Sequence, residues 1–253
     1  MSLASNRIYG WEVARGRILG EAGLILPGRK DGISNTVLDD LTQIPSTTVA
    51  PDPGGIQLEV VSSSANDADE GTGIQQVDIH YLDTAGASQN ETVVLDGTTP
   101  VDTVATDIDV VQWMHAQVVG SGGVAAGNIT LRNTGDTIDF EYIAAGGNQS
   151  LAARYQVPTG KIAYILGWQA SAITAAKIID FRLRATVMRD TRTLLSGVFL
   201  FQDAVVLNAS ASPWIMFPIP LKCPAGAKIK ISALGGASGG DAGAQFAIWQ
   251  TNA

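Results

Sequence analysis

Residues 60–132 read VVSSSANDADEGTGIQQVDIHYLDTAGASQNETVVLDGTTPVDTVATDIDVVQWMHAQVVGSGGVAAGNITLR, and this stretch decides the fold. Its short apolar runs alternate with period two, and each is closed by a cluster of Gly, Asn, Asp or Pro. Half-buried antiparallel strands and their turns have that pattern. Val77, Ile79 and Tyr81 fall on one side of a strand, and Gln76, Asp78 and His80 on the other, because successive strand side chains face opposite ways. The spacing predicts strands at 74–82, 90–96, 109–119 and 128–132, preceded by one at 56–62.

The same logic carries to the C-terminus. Beyond a turn at Asn133–Asp136, strands are expected near 137–143, 149–157, 161–171, 177–189, 194–201, 203–208, 213–219, 227–234 and 244–250. Phe181, Leu183, Ala185 and Val187 alternate with Arg182, Arg184, Thr186 and Met188, which places Arg182 and Arg184 on a solvent or subunit face. Val157-Pro158-Thr159-Gly160 and Cys223-Pro224-Ala225-Gly226 put Pro and Gly where tight turns prefer them. No self-similar period of 20–50 residues appears, so a sandwich is favoured over a propeller or solenoid. The expected class is all-β: a jelly-roll-like antiparallel β-sandwich over 55–253, with two lobes dividing near 133–136.

Residues 1–54 read differently. Gly10, Gly16, Gly20, Gly23, Gly28 and Gly32 interrupt apolar groups, so the segment is expected to be an extended N-terminal arm and linker. Trp11, Ile18, Leu19, Leu24, Ile25 and Leu26 are its candidate contact residues. A short helix is expected at Thr36–Gln43, stopped before Pro45. Such an arm gains stability by lying on a neighbouring surface or by packing on its own body.

Composition narrows the function. Charged residues are 16%, hydrophobic residues 45%, and there are 28 glycines, as suits a turn-rich β protein. The net charge is −8, unevenly spread: residues 55–132 hold one Lys/Arg against eleven Asp/Glu, and residues 133–253 hold ten against seven. That split favours association between acidic and basic lobes of neighbouring copies. Nucleic-acid binding, which needs clustered cations, is disfavoured. The start of the chain lacks the apolar core of a signal peptide, and no run is long enough for a membrane helix, so a soluble protein made in a host cytoplasm is expected.

Chemistry-bearing motifs are sparse. His80 and His115 are the only imidazoles, and neither sits in a nucleophile motif. GSGGVAAG at 120–127 and GGASGGDAG at 235–243 lack the Lys-Ser/Thr of a phosphate loop. Cys223 is the single cysteine, expected to pack as a small apolar residue. Asn66, Asp67, Asp69 and Glu70 offer oxygens for a calcium ion but lack the order of an EF-hand loop. No enzyme activity, cofactor or metal is expected. The five tryptophans suit a core, a subunit contact or a sugar platform.

The succession SSSANDADEGTG, VDIHYLDTAG, ETVVLDGTTPV, ATDIDVVQ and VGSGGVAAGNITLR, with NQSLAARYQVPTGKIAYI at 148–165, resembles segments of structural proteins of tailed bacteriophages. The resemblance covers about a third of the chain and carries no catalytic residues. It implies a virion component, and a capsid cement or decoration protein is the expected type. In that reading the protein sits on the capsid exterior as a homo-oligomer, a trimer by the symmetry of the lattice, and its arm bridges neighbouring copies of the major capsid protein. The alternative is a fibre, tail or receptor-binding adhesin that recognises a host glycan.

Overall fold

A computed structural model describes residues 9–45, 47–174, 177–208, 212–237 and 239–253, with side chains from residue 12 onward. One short helix, α1 (Tyr9–Ala14), leads into strands β1 (Ala22–Ile33) and β2 (Asp39–Asp40). Next come β3 (Leu58–Ser62), β4 (Ile74–Asp83), β5 (Ser88–Val94), β6 (Val101–Asp102), β7 (Ile108–Val119), β8 (Ile129–Asn133) and β9 (Asp139–Ile143). The chain ends with β10 (Arg154–Gln156), β11 (Lys161–Ala172), β12 (Ile178–Ala185), β13 (Leu200–Asn208), β14 (Trp214–Cys223), β15 (Lys228–Gly235) and β16 (Gly240–Asn252).

Two sandwiches result, each with its own core. The larger has sheets ordered β1-β16-β11-β14 and β10-β15-β12-β13. From β10 onward the chain alternates between these sheets, pausing only at the β12–β13 pair. Eight antiparallel strands connected in this way make a jelly roll. Trp168, Phe181 and Phe246 are fully buried between its sheets, and each such side chain contributes about 1.5–3 kcal/mol through removal from water.

The smaller sandwich is inserted into one jelly-roll strand. β2 and β10 lie along the same side of β15 and run in the same direction, Asp39 and Asp40 opposite Ala233 and Ser232, Arg154 to Gln156 opposite Lys230 to Lys228. They meet at Ile231, whose carbonyl accepts from Leu41 N while its N–H donates to the Ala153 carbonyl. Between them the chain leaves to build β3–β9, with sheets β6-β3-β8-β9 and β5-β4-β7 around Leu58, Ile74, Ile79 and Ile108.

Two expectations about the ends of these units need correction. Asn133–Asp136 is the turn of the β8–β9 hairpin inside the smaller core, so the lobes divide after β9 instead. The second expectation concerns the arm. Residues 22–33 are strand β1, paired with β16 from Ala22↔Gln250 to Ile33↔Gly240, and Leu26 is buried opposite Phe246. Glycine and proline misdirected the reading. Pro27 is tolerated because β1 is an edge strand. Gly28 is needed for close approach, since a Cβ there would lie 2.4 Å from Ala153 N and 2.6 Å from the Leu41 carbonyl oxygen. The expected helix at Thr36–Gln43 is a turn followed by β2; Ser34 Oγ accepts from the N–H groups of Thr36 and Val37, closing a local turn that competes with a helix.

Placed by lobe, the charges separate further than the sequence halves suggested. Residues 55–147 carry one Lys/Arg against fourteen Asp/Glu, a formal −13, while residues 22–54 and 148–253 together carry twelve against eight, a formal +4.

Candidate interaction surface

The jelly roll has two edges formed by consecutive strands, β13 in one sheet and β14 in the other. On β14, Trp214, Met216 and Ile219 are exposed, Ile219 by 80%. On β13, Phe201 and Val206 are exposed as well. The register explains the protrusion. Gly167 pairs with Met216 and Ile165 with Leu221, so the single residue Leu166 of β11 faces four residues, Phe217 to Pro220, on β14. Pro218 and Pro220 lack N–H groups, which blocks addition of another strand at this point and leaves side-chain contact as the way to cover it. Gly167 permits the bulge to sit close, because a Cβ there would lie 2.5 Å from the Ile215 carbonyl oxygen.

The outer face of the β1-β16-β11-β14 sheet carries a second apolar feature. Tyr164, Leu166, Pro220 and Trp249 line a shallow groove of about 330 Å³ with Glu21 and Thr251 at its margin. Trp249 Nε1 donates to Glu21 Oε2 at 2.9 Å, which fixes the indole against the sheet.

The expected contact residues scatter. Trp11 lies in α1, and its side chain falls outside the described residues. Leu24 packs partly on the jelly-roll core and Leu26 is inside it. Ile18 is half-buried, whereas Leu19 is 91% exposed and Ile25 62%. Only Leu19 and Ile25 therefore present apolar surface outward among the described members of that set.

The two arginines also part company. Arg182 is on the outer face, paired with Asp180 at 2.6 Å and stacked 4.7 Å over the exposed Phe201 ring. Arg184 is largely buried and committed within the chain: its Nη2 meets Asp40 Oδ1 at 3.0 Å, and Lys230 Nζ takes Asp40 Oδ2 at 2.8 Å. Ser232 Oγ donates to the same carboxylate at 2.7 Å. Burial lowers the pKa of both cations, and Asp40 opposes that shift. This cluster pins β2 to β12 and β15, so Arg184 is committed to contacts within the chain. Sequence alternation placed it outward correctly but could not see that β2 would cover it.

The acidic loop is structural at its centre. Asp67 is fully buried and accepts four hydrogen bonds: from Ile74 N and Ala126 N on Oδ1, and from Ser62 Oγ and Gly127 N on Oδ2. Its oxygens are occupied in joining β3, β4 and the 125–127 turn. Cys223 is buried as expected, and burial pushes its thiol up to about 12, far from reactive thiolate chemistry.

The structure brings together two residues that the sequence kept apart. His80 on β4 and His115 on β7 stack with ring centroids 5.3 Å apart, and Trp113 stacks on His80 at 4.5 Å. The Asp-x-His spacing of Asp78 and His80 was a legible signal; its meaning depended on the β4–β7 register, which pairs Asp78 with His115 and His80 with Trp113.

No family model and no curated protein matches the chain. Among solved structures it is similar to the CBM22-1-CBM22-2 tandem domain of Paenibacillus barcinonensis Xyn10C, at 12% identity and TM-score 0.22, covering 92% of this chain and 94% of that one. It is also similar to infectious bursal disease virus Gt strain, at 7% identity, TM-score 0.20 and coverage of 92% and 77%. The VP2 subviral particle of infectious bursal disease virus gives 8% identity, TM-score 0.20 and coverage of 92% and 76%. The fold assignment rests on the strand pairing itself.

Proposed function

We propose that this chain is a non-enzymatic structural subunit of a virus particle, a cement or decoration protein on the outside of a tailed-phage head, which associates with copies of itself through the β13–β14 edge. The observation that carries the reading is that pair of edges: Trp214, Met216 and Ile219 lie exposed around a proline-containing bulge on β14, and Phe201 and Val206 lie exposed on β13. Several large apolar side chains left exposed on the edge strands of a protein with a complete core are characteristic of a contact site. The strand order also supports it, since jelly rolls serve in capsid and lectin domains alike. A homotrimer, the form expected from the sequence, would bind the major capsid protein at several points at once, so that modest contacts sum.

The arm in this proposal is shorter than the sequence implied. Among residues 12–21 Leu19 faces outward, whereas Val13 is buried, Glu21 is bonded to Trp249, and β1 belongs to the body. The test is co-sedimentation with heads stripped of the protein, comparing the full chain with a version lacking residues 1–21. Retention of the full chain and weakened retention of the truncated one are expected. A full chain that stays in the supernatant overturns the capsid assignment.

A second reading is favoured by the Tyr164–Trp249 groove. Aromatic side chains on an outer sheet face suit stacking on a sugar ring, as an adhesin requires. Saturable quenching of tryptophan fluorescence by a glycan, abolished by Trp249→Ala, would select it over the cement reading.

A further inference from the structure

We infer that Asp78, His80 and His115 form a binding site for a single divalent transition-metal cation of the zinc class, on the outer face of the β5-β4-β7 sheet. One ligand atom from each of the three lies within 4.8 Å of the others. The pair on β4 already has suitable spacing: His80 Nε2 is 3.2 Å from Asp78 Oδ2, and tetrahedral zinc with bonds of about 2.0–2.1 Å sets its donors about 3.3 Å apart. His115 must close the remaining distance, and its half-buried ring has room to turn, since it borders a cavity of about 250 Å³ between β7 and residues 24–27 of β1.

The surroundings prepare these donors. Thr92 Oγ1 donates to Asp78 Oδ1 at 2.9 Å, which orients the carboxylate and leaves Oδ2 toward the histidines. Such outer partners fix the direction of a ligand and strengthen its binding. Trp113 stacks on His80 and limits its rotation. The inserted lobe carries a formal −13, and a field of that sign concentrates cations.

Two imidazoles and one carboxylate match zinc and its transition-metal neighbours, whereas calcium and magnesium require shells dominated by oxygen. Three protein donors leave one tetrahedral position for water or a ligand approaching through the cavity.

The site is testable with little background, because the chain contains only these two histidines, and its one cysteine is buried. Tag-free protein is titrated with zinc chloride by calorimetry and with cobalt chloride by visible absorption. One equivalent of zinc is expected, with the d–d bands of tetrahedral cobalt. His115→Gln and Asp78→Asn should each weaken zinc binding at least about tenfold while melting cooperatively like the parent. Absence of zinc binding by the parent, or binding left unchanged by both variants, overturns the assignment. If one variant fails to fold, the other decides it by the same criterion.

Discussion

Asp67 offers a direct test of how the inserted lobe is held together. Asp67→Ala removes a fully buried carboxylate that accepts from three backbone N–H groups and one hydroxyl at 2.6–2.9 Å. Each stranded buried donor costs about 1–3 kcal/mol. Ser62 Oγ can turn to another acceptor and water can reach part of the space, so the net loss expected is about 3–6 kcal/mol, on the scale set by three such groups. That is a large share of a stability of about 5–15 kcal/mol. Asp67→Asn keeps the volume but aims an NH2 group at two donors, for a loss of about 2–4 kcal/mol by the same figures. Urea unfolding followed by tryptophan fluorescence measures both, Trp113 being the indole within β7. A loss below about 1 kcal/mol for Asp67→Ala, less than one stranded donor, would refute the reasoning. Added calcium that stabilised the parent and not the variants would instead restore the cation reading of this loop.

Other consequences follow from the same structure. Gly28→Ala drives a Cβ against the backbone of Ala153 and Leu41; the expected cost is about 1–3 kcal/mol, with faster amide exchange along β1, and an unchanged exchange pattern would show that β1 is not docked as described. Burial raises the Tyr155 pKa above its ordinary 10.0. The folded state therefore holds this proton longer than the unfolded chain does, so its contribution to stability is full below pH 10 and is lost as pH rises through the folded pKa. Tyr155→Phe should flatten that alkaline loss and remove a late-titrating phenol from the ultraviolet absorbance titration.

Much of the fold was legible because the strands alternate cleanly. The runs around Val77, Phe181 and Ile229 announce both their faces and their ends, and the all-β sandwich follows from them. Strand β13 was read as two pieces, 194–201 and 203–208, although residues 200–208 form one strand. The sequence gives two apolar groups there, but Gln202 turns inward to donate to the Val187 carbonyl, which keeps the strand continuous. β1 was hidden for a different reason. Its glycines and proline are penalised by local propensity, and only pairing with β16, more than 200 residues away, repays that deficit. The insertion between β2 and β10 is likewise a long-range fact: nothing near Leu41 or Ala153 states that both will bond Ile231. At the surface, the exposed apolar residues of β14 looked like core positions because Trp214 to Leu221 is nearly all apolar; the strand is an edge, so half of that run has no sheet above it.

The proposal of an assembling structural subunit is most directly examined by the mass of the purified protein in solution. Light scattering coupled to size exclusion should give a multiple of the 26.4 kDa chain, three copies if the trimer is right. Met216→Asp with Ile219→Asp, placed on the exposed edge, should reduce that mass to one chain without changing the thermal unfolding of the monomer. A parent protein that remains a single chain at tens of micromolar, or an edge variant that assembles as well as the parent, would contradict the account.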